Sequence, residues 1–123
     1  MCEADAETEI RELVSITAAL ADHPIAGVNA SVSMITKGGL NTVIRSLAIE
    51  YAREGIRFNA VASGVVDTNL HQNDPREPLK KLQPMGKIVG VRDVVDAVLY
   101  LAQADQVTGE VLHVDGGSHA GCW

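Results

Sequence analysis

Apolar residues recur along this chain in two helical rhythms separated by short strand-like runs. Between residues 33 and 54, Leu40, Val43, Ile44, Leu47, Ala48 and Tyr51 stand at i, i+3, i+4, i+7, i+8 and i+11. That spacing predicts one long amphipathic helix with a single buried face, and Gly55 follows as a C-cap glycine. A second helix is predicted over residues 91–103, with Val94, Val95, Val98, Leu101 and Ala102 turned inward. The runs Val14 to Ala18, Ile56 to Ala62 and Glu110 to Val114 have strand character. Residues 5–12 favour a helix by propensity but offer only Ile10 and the adjoining Leu13 for burial, so a short, frayed helix is expected there.

Breaker residues, Asp22-His23-Pro24 and Gly27, join the first strand to the long helix. A strand, a helix and a second strand in that order imply a parallel, right-handed crossover. The polar stretch 67–90 holds three of the four prolines and is too long for an ordinary connection. It is expected to be either a functional lid, with a short helix near Pro78 to Leu82, or a disordered insert. The predicted architecture is α/β, a single domain over residues 1–123 in the order β-α-β-lid-α-β. Two long helices hardly cover both faces of three parallel strands. The chain therefore has the look of half a larger sheet, with an open edge at Val14 to Ala18 that calls for a partner.

Composition narrows the partners. Sixteen acidic against ten basic residues give a net charge of −6, and the longest basic run is Lys80-Lys81, which argues against a nucleic-acid binder. Aromatic residues make up 3% of the chain, so Val, Ile, Leu and Ala must build the core. The acidic opening and the lack of a long apolar run predict neither a secretion signal nor a membrane anchor. Cys2 and Cys122 have no metal-ligand spacing and suggest thiols in a reducing, cytoplasmic compartment. His23, His71 and His113 are widely spaced and suit surface or turn positions, and Asp22 beside His23 suits a polar turn, so no metal site is expected.

Four local patterns stand in register: Ser33-Met34-Ile35-Thr36-Lys37 before Gly38-Gly39-Leu40; Arg45-Ser46-Leu47-Ala48 with Glu50-Tyr51; Gly55 to Gly64, containing Asn59-Ala60-Val61-Ala62-Ser63-Gly64; and Thr108 to Gly117, ending Asp115-Gly116-Gly117. Together they resemble the carboxyl-terminal half of a short-chain dehydrogenase/reductase, over roughly nine tenths of the chain. The resemblance implies part of a Rossmann-like fold and an ancestral chemistry of NAD(P)-dependent carbonyl reduction or alcohol oxidation. By spacing alone, Ser33 and Lys37 are equally well neighbours on a solvated helix face.

The departures from the family pattern are as informative as the matches. Where the family has Tyr-x-x-x-Lys, this chain has Ser33 and Lys37; an aliphatic hydroxyl cannot do the work of a phenol whose pKa of about 10 can be lowered by a neighbouring ammonium. The carbonyl-polarising serine of the family falls on Thr17-Ala18-Ala19, where Thr17 offers a hydroxyl only from an adjacent position, and Ser63 replaces the usual proline. By resemblance Lys37 would reach the cofactor ribose, while Gly64, Val66 and Thr68 would line the nicotinamide and its phosphate. A glycine-rich pyrophosphate turn is expected to be missing, since Gly38-Gly39 and Gly116-Gly117 suit packing and a tight turn. NAD or NADP is thus expected to bind weakly or not at all. These expectations fit a degenerate, inactive relative. They also fit an interaction module that forms homo-oligomers or docks on an intact relative, one half of a split enzyme, or a reading frame that starts upstream of Met1.

Overall fold

The computed structural model describes residues 9–121. Three parallel strands, β1 (Glu12–Ala18), β2 (Arg57–Ser63) and β3 (Val111–Val114), form a sheet in the order β1-β2-β3. Leu13 faces Phe58 and Ala18 faces Ser63 across the first ladder, and Ala60 faces Val111 across the second. Helix α1 (Ser31–Tyr51) connects β1 to β2, and α3 (Val91–Gln103) precedes β3. The α/β reading and the strand order along the chain agree with this architecture.

Strand β2 is the centre of the molecule because it is covered on both faces. Phe58, Ala60 and Ala62 pack with Ile44 and Ala48 of α1 and Val111 of β3. The two alanines bring the helix close to the strand. On the opposite face Val61 packs with Ala97 and Leu101 of α3. Ile44 and Leu101 are fully buried, each stabilising the fold by about 1.5–3 kcal/mol.

The helix rhythms are correct in place, and Ile44, Leu47, Ala48, Val94, Val98 and Leu101 face the core as expected, but the edges of each predicted stripe differ. The buried arc of α1 is Asn41, Ile44 and Ala48, whereas Leu40, Val43 and Tyr51 remain exposed. The apolar stripe is wider than the surface that β1 and β2 offer, and the helix settles on the side that meets their alanines. In α3 the small Ala97 is buried and Val95 is exposed. Gly55 has the positive φ of 73° expected of a C-cap residue, although Ala52–Glu54 first tighten into a 3-10 turn. No helix forms over residues 9–12: Glu9 to Arg11 are irregular and Glu12 opens β1, while the rest of that predicted segment lies outside the described residues.

The stretch 67–90 is more ordered than a plain loop. It contains a 3-10 turn at Asn69–His71 and the short helix α2 (Arg76–Lys81), and a parallel bridge ties Val66 to Val89.

Two polar side chains of β2 fix the far end of the fold. Asn59, fully buried, donates to Val107 O at 2.9 Å and accepts from the Glu110 amide at 3.0 Å, setting the turn that launches β3. Arg57 donates to the Leu101 and Ala102 carbonyls at 2.8 and 3.0 Å, satisfying the carboxyl end of α3, and pairs with Glu12 of β1 at 2.6 Å. Replacing Arg57 with Met should cost about 2–4 kcal/mol, because it strands Glu12 and uncaps α3 at once. Urea unfolding followed by circular dichroism measures this, and Glu12→Gln should cost clearly less.

Candidate functional site

The carboxyl ends of β1 and β2 converge on a cavity of about 250 Å³. Ala18 closes one strand and Ser63-Gly64-Val65 continues the other; Leu79 and Leu82 come down from α2 and the residue after it. The expected lid thus forms part of the wall. Side chains alternate along a strand, and this decides which candidates reach the cavity. Thr17 is in register with Ala62 of the α1-side core and is buried, while Ala18 lines the cavity. At the cavity the end of β1 thus offers the methyl group of Ala18 and not the hydroxyl of Thr17.

Lys37 lies on the inner side of α1, half-buried, and its Nζ approaches the Ile16 carbonyl at 3.4 Å. Ser33 is exposed one turn earlier, and its carbonyl accepts from Thr36 Oγ1 at 2.9 Å. Gly64 donates its amide to Val114 O at 2.9 Å and so joins the end of β2 to β3. A Cβ at Gly64 would collide with Gln83 Oε1 and stand 3.0 Å from Asp115 Cα, so glycine is required there by close backbone approach. Val66 is half-buried at its bridge to Val89, and Thr68 is exposed where the 3-10 turn begins. The structure therefore brings Ala18, Ser63 and Gly64 together at the cavity, whereas Ser33, Lys37, Val66 and Thr68 are not among its lining residues.

Gln83, Asn41 and His119 escaped the sequence reading, and Thr17, Asp22 and His113 have surroundings that it did not anticipate. Gln83 is 2% exposed and its Oε1 has no hydrogen-bond partner; Thr17 Oγ1 and both polar atoms of the Asn41 side chain are likewise buried without one. Asp22 does more than finish a turn, since it holds His113 Nε2 at 2.8 Å. The ring of His113 stacks on His119 at 3.8 Å, and His119 Nδ1 meets Asp115 at 2.9 Å. Residues with positive φ at Gly116 and Gly117 make this return possible, as the tight-turn reading expected. Among the described residues no cluster of His, Cys, Asp and Glu is arranged to hold a metal ion.

The enoyl-(acyl carrier protein) reductase family model matches residues 5–119. The chain belongs to the short-chain dehydrogenase/reductase family. The 3-oxoacyl-[acyl-carrier-protein] reductase of Mus musculus is 42% identical over 90 residues, 73% of this chain and 38% of that protein. Its Homo sapiens counterpart is 44% identical over 87 residues, 71% of this chain and 37% of that protein. The solved 3-ketoacyl-(acyl-carrier-protein) reductase from Brucella melitensis, complexed with NADH, superposes with a TM-score of 0.79 at 29% identity, covering 88% of this chain and 44% of that one. ElxO with NADP bound gives 0.79 at 27% identity, covering 89% and 47%. The chain thus spans less than half the length of these short-chain dehydrogenases/reductases.

Asp115 is the family-pattern residue whose local role is clearest. Burial would raise its carboxyl, but hydrogen bonds from His119, Ser118 and the Gly117 and His119 amides outweigh that and hold it below its ordinary value of 3.8. Because the folded state favours the carboxylate, its stabilising contribution is complete above that value and is lost as pH falls below it. Asp115→Asn should destabilise the chain by about 1–3 kcal/mol at pH 7, with the gap to the parent narrowing in melts below pH 4. Gly64→Ala should likewise cost about 1–3 kcal/mol, read as a lower melting temperature.

Proposed function

We propose that this chain is a non-reducing member of the short-chain dehydrogenase/reductase family that binds a small molecule at the carboxyl ends of β1 and β2 without running hydride transfer by itself. The observation that carries the reading is the lining at the end of β1, where Ala18 presents no hydroxyl to a reacting carbonyl. Ser33 stands where the family has its phenol, four residues before Lys37. Carbonyl reduction needs an acid to protonate the developing alkoxide. Neither side chain supplies one.

The fit to a nicotinamide cofactor is partial. When bound, such a cofactor supplies the hydride. Lys37, Gly64, Val66 and Thr68 would flank its nicotinamide end, the ammonium of Lys37 offering hydrogen bonds to ribose hydroxyls. Among the described residues no glycine-rich turn leads from a strand into a helix, so they offer the pyrophosphate no such cradle. Weak binding of NAD or NADP follows from that imbalance.

A second reading has support of its own. β1 is an edge strand whose Leu13 and Ile16, on opposite faces, are 42% and 45% exposed, and Val32, Ile35 and Ile49 are exposed on α1. A homo-oligomer, an intact relative or a separately supplied remainder of the fold would cover such surfaces. Membrane insertion draws no support, as no helix among the described residues is long and apolar enough to cross a bilayer.

The test is oxidation of NADH and NADPH at 340 nm with a 3-oxoacyl thioester. The expected rate is background for the parent and for Ser33→Tyr, which still leaves Ala18 without a hydroxyl. Turnover by either would refute the proposal. Calorimetric titration of both cofactors should give a Kd no tighter than about 1 mM, near −4 kcal/mol. Micromolar binding, with light scattering showing an oligomer, would instead favour a pocket completed between chains.

A further inference from the structure

The loop after β1 and the turn after β3 meet through two histidines. His113 of β3 and His119 of the terminal 3-10 turn (Ser118–Ala120) stack with ring centroids 3.8 Å apart and planes within 17° of parallel. Each ring also meets a carboxylate: His113 Nε2 lies 2.8 Å from Asp22 Oδ2, and His119 Nδ1 lies 2.9 Å from Asp115 Oδ2. An ionised carboxylate only accepts, so both of those nitrogens carry hydrogen, and a further proton goes to His113 Nδ1 or His119 Nε2. The two side chains are 17% and 38% exposed, enough to exchange protons with solvent. Lys87 and Asp93 also line the cleft beside the rings, and the Asp93 carboxylate accepts from the Gly90 amide at 2.8 Å.

Placement makes this pair more than a local fastening. Asp22 closes the 3-10 turn Ala19–Ala21, whose Ala19 and Leu20 line the cavity, and Asp115 holds Ser118 of the same wall at 2.9 Å. The contacts through the rings thus tie two parts of that wall together. With neutral rings, the unit of Asp22, His113, His119 and Asp115 carries two negative charges. One added proton converts a neutral hydrogen bond into a charge-assisted one, roughly twice as strong. A second proton places two imidazoliums face to face, where their repulsion opposes the pull of the carboxylates. The first proton therefore tightens the contact and the second adds little.

We propose that the histidine pair is a one-proton clasp that regulates the cavity. Proton uptake on mild acidification draws the loop after β1 onto the terminal turn and firms the cavity wall, and loss of the proton loosens it. The sign follows from linkage: the clasped arrangement holds the proton more favourably than an open one, in which the rings have left their carboxylates, so its share rises as pH falls. The charge itself stays out of the cavity, because neither ring lines it. This deepens the proposed small-molecule binding by naming what regulates its site, and its consequence for a ligand rests on that reading.

The experiment is NMR of the full chain between about pH 5.5 and 8.5, with no ligand present. The side-chain signals of His113 and His119 should each move in two steps, because the protons belong to the pair. In His119→Gln the His113 signals should move in one. The amides of His23 and Val28 are hydrogen-bonded within the loop after β1, to the Ala19 and Ile25 carbonyls. Their opening, read by hydrogen exchange corrected for its intrinsic pH dependence, should be about tenfold rarer at pH 6 than at pH 8, the gain of a charge-assisted over a neutral hydrogen bond. Asp22→Asn keeps an acceptor without the charge and should remove that dependence, with folding checked by circular dichroism. Single-step movement of both rings in the parent overturns the inference, as does loop protection that ignores pH or keeps its pH dependence in Asp22→Asn. If Asp22→Asn does not fold, His113→Gln takes its place with the same expected outcome, and the two readouts on the parent decide in any case. None of these readouts needs a ligand or a cofactor. NADH turnover with a 3-oxoacyl thioester would sink the non-reducing reading alone, and a loop indifferent to pH would sink the clasp alone.

Discussion

The fold depends on one guanidinium placed at the start of its central strand. Arg57 reaches β1 through Glu12, the last turn of α3 through two carbonyls, and the following loop through Val107 O at 3.2 Å. With Asn59 two residues further on, it fixes where β3 begins through directional bonds. The aliphatic core supplies most of the burial but is tolerant of register. These directional bonds are not, and they hold β3 in the alignment that delivers Asp115 and the terminal turn to the far end of the sheet.

From that alignment the site follows. Parallel strands end together, so the last residues of β1 and β2 meet the turn after β3 at one edge of the sheet. Asp115 orders the turn and positions Ser118 at the cavity wall, and the stacked rings of His113 and His119 fasten it to Asp22 in the loop after β1. Charge is kept behind the wall rather than in it. The carboxylates of Asp74 and Asp115 bond to His71 and Ser118 of the wall, and no carboxylate lines the cavity itself.

The sequence carried the elements well and the site only partly. Helical and strand periodicity placed α1, β2, α3 and β3 within a few residues, because each buries a continuous apolar face. Phase was harder. Leu40 and Val43 are more apolar than Asn41, yet Asn41 is the residue α1 buries, since contact with the sheet and not hydrophobicity selects the face. Gly64, singled out from family spacing, lines the cavity, whereas Lys37, singled out in the same way, does not. Gln83 had no such signal: it lies in a proline-punctuated stretch with no periodicity, and its burial results from Gly64 and Gly116 leaving room beside it. The pairing of Asp22 with His113 across 91 residues of chain had no local signal at all.

Gly64 also divides the cavity wall into parts that can change and a part that cannot. Ile25, Val28, Leu79 and Leu82 come from a loop and from the neighbourhood of a short helix, and can exchange volume among themselves with modest cost. The end of β2 has no such freedom, because one added carbon meets Gln83 and the Asp115 backbone. Any change in the cavity's shape, whether reached by drift or by design, must therefore come from the loop after β1 and from α2, with the end of β2 serving as a fixed floor.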